Sequence, residues 1–147
     1  MPATLIGIFI KRAHTGAMDS TSSAILDEKG LVGNADRGGF RPVTILSKER
    51  WDDLMKDVGA SLGPQVRRAN LLVSGIDLEN SRGKTLRIGP CRLRIGGETR
   101  PCEMMEDAAP GLQKAMQSHW GGGVYATVVD AGPIAVGDEV LWDVRQD

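Results

Sequence analysis

The stretch Thr85-Leu86-Arg87-Ile88-Gly89-Pro90-Cys91-Arg92-Leu93-Arg94-Ile95 decides the fold class. Leu86 and Ile88 alternate with Arg87, and Leu93 and Ile95 alternate with Arg92 and Arg94. A period of two puts apolar side chains on one face and arginines on the other, the pattern of a half-buried strand. Gly89-Pro90 between the two runs predicts a strand pair joined by a turn. Cys91 has the parity of Leu93 and Ile95, so its thiol is expected in the core, where it behaves as a small, inert hydrophobe.

Outward from this pair the segments stay short. Apolar, β-branched runs predict strands at residues 5–10, 43–46, 70–73, 123–130 and 139–142, and another over 25–31 around the Glu28-Lys29-Gly30 turn. Ser47 opens a helix to Val58: it is an N-cap residue, Trp51, Leu54, Met55 and Val58 share one helical face, and Gly59 is a stop. A second helical pattern follows Cys102, breaks at Pro110-Gly111 and resumes through His119. About seven strands with two or three helices predict a β-rich α+β fold, a barrel or a curled sheet, in one domain over residues 1–147.

Composition agrees. Nineteen of 147 residues are glycine, about twice the usual share, which points to many turns and tight backbone passages. A net charge of −1 argues against broad nucleic-acid binding. Two cysteines make no disulfide framework, so a reducing, cytoplasmic setting is the simpler reading. The apolar stretch 5–10 is too short for a signal-peptide core or a membrane span. There is no Cys-x-x-Cys, no spaced zinc set and no Gly-x-Ser-x-Gly elbow. Gly121-Gly122-Gly123 follows a helix instead of opening one, so it is no phosphate loop.

Cys102 differs from Cys91. It follows Gly97-Glu98-Thr99-Arg100-Pro101 and precedes a helical pattern, with Arg100 two positions away. Helix-start N–H groups and a nearby guanidinium stabilise a thiolate, which attacks sulfane sulfur or binds a soft metal. The alternative is a bland, partly exposed thiol. Arg67-Arg68-Ala69-Asn70 at a strand mouth can hold a phosphate or carboxylate, or can be a solvated pair with an Asn turn. Arg37, Gly38, Gly39 and Arg41 form a second basic loop with the same two readings. The Gly121–Gly123 run passes close to either packed backbone or a ligand, and His119 either caps helix carbonyls or takes part in chemistry.

Together these stretches resemble the MOSC domain family, the C-terminal domain of molybdenum cofactor sulfurases. The matching pieces occur in the family's order. They are Gly30-Leu31-Val32-Gly33, Arg41-Pro42-Val43-Thr44-Ile45-Leu46, Arg67-Arg68-Ala69-Asn70-Leu71, Gly75-Ile76-Asp77-Leu78 and Leu86-Arg87-Ile88-Gly89. After them come Gly97-Glu98-Thr99-Arg100-Pro101-Cys102, Gly121-Gly122-Gly123-Val124-Tyr125-Ala126 and Val136-Gly137-Asp138.

The resemblance implies a barrel-like fold, with Cys102 as a persulfide carrier or molybdenum ligand. It implies molybdenum cofactor (molybdopterin) as the cofactor, faced by Arg68, Asn70 and Arg100, with Arg67, Arg41, Gly122 and Gly123 also in the binding set. Pyridoxal phosphate enters only as a family association. The function implied is a stand-alone sulfur-carrier or cofactor-binding module fed by a sulfur donor such as a cysteine desulfurase. A reductase of N-hydroxylated substrates with an external redox partner is the alternative, and a non-catalytic anion-binding domain the third. Two departures stand out: Asn34, Ala35 and Asp36 occupy places where the family commonly has Asp and then His, and Gly121 stands where Arg is frequent.

Overall fold

The computed structural model describes residues 2–13, 18–35, 42–101 and 103–143. Its strands are β1 (Ala3–Lys11), β2 (Met18–Thr21), β3 (Ser23–Asp27), β4 (Gly30–Leu31), β5 (Val43–Ser47), β6 (Leu71–Ser74), β7 (Thr85–Ile88), β8 (Cys91–Glu98), β9 (Val124–Asp130), β10 (Gly132–Ala135) and β11 (Glu139–Asp143). The helices are α1 (Lys48–Val58), α2 (Glu103–Ala108) and α3 (Leu112–Met116), with a 3-10 turn over Pro64–Arg67.

Seven strands close into a barrel in the order β11-β7-β8-β9-β5-β6-β1, and β1 returns to β11 through Ala3 opposite Val140 and Thr4 opposite Glu139. Where β11 leaves β1, β2 takes over the same edge, pairing Ile8 with Thr21 through Lys11 with Met18. Among the described strands, every pairing is antiparallel except β5 with β6. A parallel pair needs a long crossover, and α1 with the 3-10 turn supplies it. A second sheet, β10-β3-β4, contributes Leu26, Leu31 and Ile134 to the barrel core.

The alternating pair reads as expected. Leu86, Ile88, Leu93 and Ile95 fill the barrel, and Cys91 lies fully buried among them. Burial pushes the Cys91 thiol up from its ordinary value, helped by the negative charges of Asp138 and Asp130. That keeps it protonated and unreactive. On the outer face Arg92 bridges two strands, pairing with Asp130 of β9 and Asp143 of β11.

Strands β5 and β6 follow a different rule. In β5, Val43 and Ile45 face the barrel while Leu46 faces outward; in β6, Leu71 and Val73 face in and Leu72 out. Leu46 and Leu72 join Trp51, Leu54, Met55, Met105, Leu112 and Met116 in a second core beneath the helices. Strands covered on both faces need near-continuous apolar runs, and these two have them.

Helix α1 begins at Ser47, whose hydroxyl accepts the Arg50 N–H, and ends at Gly59 with φ 69°. The pattern at residues 112–119 is shorter than its sequence predicts. α3 stops at Met116, and His119 and Trp120 adopt φ 54° and 55°, which ends the helical path before the glycine run. The expected strand over 25–31 is a hairpin, β3 and β4.

Glu49, exposed near the start of α1, accepts from the Ser74 hydroxyl and the Gly75 N–H, tying the helix to the end of β6. Burial pushes its carboxyl up, but these bonds outweigh that and hold it below the ordinary 4.5. A carboxyl that titrates lower in the folded chain stabilises it fully above 4.5, and this contribution disappears as pH falls through the folded value. Glu49→Gln is therefore expected to lower the urea midpoint at pH 7, with a smaller deficit near about pH 3. Equal deficits at both pH values would contradict this.

Candidate functional site

Asn70 precedes β6, is only 4% exposed, and its amide is saturated. Oδ1 accepts from the Thr44 N–H at 3.2 Å and the Thr44 hydroxyl at 3.3 Å. Nδ2 donates to the Phe9 carbonyl at 3.2 Å and to Asn34 Oδ1 at 3.1 Å. A primary amide has two donor hydrogens and two acceptor lone pairs, and all four are in use. Asn34 Oδ1 also accepts from the Lys11 N–H at 2.7 Å. Asn34 thus supplies one acceptor oxygen to both β1 and Asn70.

Arg67 closes the 3-10 turn and points across the fold. Nε donates to the Gly122 carbonyl at 3.0 Å, and Nη2 donates to the carbonyls of Thr99 and Arg100, each at 3.3 Å. Its fork therefore joins the exit of β8 to the glycine run that enters β9. Arg68 forms the C-cap of the turn in the left-handed region, φ 65°.

The glycine run meets packed backbone. A Cβ at Gly122 would stand 2.0 Å from the Thr99 carbonyl oxygen, and one at Gly123 would stand 2.4 Å from the Ile45 oxygen, at φ +88°. No side chain fits at either place. The Thr99 N–H donates to the Gly123 carbonyl at 2.8 Å, so the two segments are bonded as well as apposed. Beside them Glu98, Arg100, Pro101 and Gln117 line an open pocket of about 320 Å³, at the small end of the roughly 300–1,000 Å³ range of small-molecule sites. Arg100 is exposed there. Thr99 is 8% exposed, and its hydroxyl has no hydrogen-bond partner among the described residues.

The structure thus brings Arg67, Arg100 and Gly122 together, and keeps Asn70 apart in the barrel wall. Cys102 and Arg41 lie outside the described residues, as do Arg37, Gly38 and Gly39. Among the described residues His119 bonds no helix carbonyl; its Nδ1 lies 3.0 Å from Glu79 Oε1. Sequence reading passed over Gln117 and Glu98 as pocket residues. Glu98 lies inside the quoted Gly97–Cys102 stretch, whereas nothing local marks Gln117. Among the described residues there is no group of three or more His, Cys, Asp or Glu that could hold a metal ion. No helix of the described residues is long and apolar enough to cross a membrane.

A closed, seven-stranded barrel with helices over a β5–β6 crossover defines the class. The chain belongs to the MOSC domain family, whose model matches residues 14–141, and that family is associated with the molybdenum cofactor. Among solved structures it is similar to the YuaD protein from Bacillus subtilis, at 23% identity and a TM-score of 0.79 over 95% of this chain and 94% of that one. It is also similar to YiiM from Geobacillus stearothermophilus, at 15% identity and a TM-score of 0.78 over 98% of this chain and 76% of that one. YiiM from Escherichia coli shows 16% identity and a TM-score of 0.72 over 98% and 71%. These likenesses show the fold. No curated protein matches the chain.

Against the family's cofactor, the described residues fit in part. Arg100, exposed in the pocket, suits a phosphate, whereas the Thr99 hydroxyl is buried and does not line the pocket. Asn70 has no unused donor or acceptor to offer a pterin, and Gly122 faces the Thr99 carbonyl instead of open space.

Two substitutions test these roles. Asn70→Ala leaves Thr44, Phe9 and Asn34 short of partners and is expected to cost about 3 kcal/mol in urea unfolding; a loss below about 0.5 kcal/mol would show that the amide network does not hold the wall. Gly122→Ala forces Thr99 away, and should lower the thermal midpoint and weaken protection of the Thr99 amide against hydrogen exchange; unchanged protection would contradict the close approach.

Proposed function

We propose that this chain is a sulfur-carrier or cofactor-binding module of molybdenum-cofactor chemistry in which Cys102 carries the reactive sulfur. The observation that supports it best is the anchoring of residues 99 and 100, in the segment that leads to Cys102, beside the pocket that Arg100 lines, in a chain of this family.

In the carrier role the Cys102 thiolate attacks the terminal sulfur of a persulfide donor. A sulfur–sulfur bond forms to Cys102 as the donor's own breaks, and the donor leaves as a thiolate with the bonding electron pair. No external oxidant or reductant is needed. An external protein such as a cysteine desulfurase supplies the sulfur, in a reducing, cytoplasmic setting. Arg100 draws in and orients the anionic donor or the cofactor's phosphate, with Arg68 on the adjoining turn as the second cation. Arg41 remains in the anion-holding set by resemblance. Asn70 acts by fixing the wall behind these residues. When bound, the cofactor supplies molybdenum for two-electron chemistry, with the Cys102 thiolate as a protein ligand.

The test is purification of the wild type and Cys102→Ala from a host that makes the cofactor, followed by cyanide-labile sulfur, molybdenum and pterin analysis. The wild type is expected to carry labile sulfur, or molybdenum with pterin, at near one equivalent per chain; Cys102→Ala is expected to lose at least nine-tenths of the sulfur or metal. A wild type with neither, or a variant that retains all of both, overturns the proposal.

A further inference from the structure

We infer that Arg67 is a positioning residue: its guanidinium holds the backbone of residues 99 and 100 against Gly122, and does not serve to hold a ligand. This rests on the proposed role of Cys102, because that is the residue the held segment leads to. Three observations carry it. The first is the fork itself, which reaches the carbonyls of Gly122, Thr99 and Arg100 at 3.0, 3.3 and 3.3 Å. A guanidinium presents fixed, coplanar donors and loses little freedom in bonding several acceptors, so it suits several carbonyls at once.

The second is the fit around it. The Thr99 carbonyl comes so close to Gly122 that a Cβ there would stand 2.0 Å from it and 3.2 Å from Arg67 Nη2. A side chain at Gly122 would therefore collide with the Thr99 carbonyl and crowd the Arg67 guanidinium, so the two backbone segments and the fork pack directly on one another. The third is the anchor. Arg67 ends the 3-10 turn three residues before Asn70, whose saturated amide fixes that part of the chain to β1 and β5. The clamp is therefore held from the barrel wall.

The carbonyls matter for a chemical reason. Each carries partial negative charge, and three gathered around one guanidinium repel one another. A cation between them removes that repulsion and lets β8 leave the barrel close beside the start of β9. A residue in this role governs how often the segment is correctly placed, and so acts on the maximal rate of sulfur loading. A ligand-holding residue acts on the donor concentration needed.

The full-length wild type, Arg67→Met and Arg67→Lys are compared by two readouts. In the first, hydrogen exchange at the Thr99 amide is expected to rise about tenfold or more in Arg67→Met, while the Ile95 amide, bonded to the Lys84 carbonyl, keeps its rate. In the second, loading of Cys102 from inorganic polysulfide is followed as cyanide-labile sulfur. Arg67→Met should lower the maximal rate about fivefold with the half-saturating polysulfide concentration unchanged. Arg67→Lys, which keeps the charge on a head without the fork, should recover part of both effects.

Unchanged Thr99 exchange in Arg67→Met, or a raised half-saturation with an unchanged maximal rate, overturns the assignment. Should Arg67→Met not fold, Arg67→Lys decides by the same two readouts, with smaller changes in the same directions. A wild type that takes up no sulfur sinks the carrier role of Cys102 alone, and the exchange comparison then decides the role of Arg67.

Discussion

Asn70 stands where three strands meet, and every donor and acceptor of its side-chain amide faces a protein partner: Thr44 of β5, Phe9 of β1, and Asn34 in the turn after β4. Its own backbone N–H reaches the Thr44 carbonyl, and its carbonyl receives the Phe9 N–H. This matters because β5 and β6 form the parallel pair in an otherwise antiparallel ring. A hairpin fixes its own register through its turn, whereas a parallel pair joined by a helix must find register by other means. Asn70 supplies it at the first residue before β6. An amide with four bonds is intolerant of slippage, since a shift by one residue would strand all four partners in a buried wall.

The consequences spread along the crossover. α1 returns over the outer face of β5 and β6, and the apolar residues those strands point outward become its floor. α2 and α3 add Met105, Leu112 and Met116 to the same layer. The barrel therefore has two cores that share one wall. The crossover also ends with Arg67, Arg68 and Asn70 in close succession, so what fixes β6 fixes the root of the guanidinium that reaches residues 99, 100 and 122.

The strands legible in the sequence are those whose burial leaves a pattern. Leu86-Arg87-Ile88 and Leu93-Arg94-Ile95 show the period of two because one face meets the core and the other meets water. Ser47 and Gly59 mark α1 because end chemistry is local. β2, Met18-Asp19-Ser20-Thr21, was not legible: it is a polar edge strand with no buried face. β10 escaped because Gly132-Pro133 reads as a turn. The closure of Ala3 onto Val140 joins the two ends of the chain, and no local property announces it. α3 stopped short of the expected end at His119, and His119 and Trp120 turn left-handed to deliver the chain into the glycine run.

The site was legible in its chemistry but not in its destinations. A guanidinium bonds a phosphate or a set of backbone carbonyls with the same donors, and only the fold decides between them. For Arg67 the carbonyls are present on the protein itself; for Arg100 an open pocket lies beside it. The same logic explains the departure at Gly121. A Cβ there would lie 2.8 Å from the Met116 Cα, so an arginine of the family's kind could not stand at this place without unpacking the turn after α3. The cation beside the run comes from across the fold, on the 3-10 turn, where Arg67 reaches the neighbouring carbonyl of Gly122. The constraint at this place is the close passage of backbone at residues 99 and 122, which excludes a side chain at Gly122 and sets a guanidinium against its carbonyl.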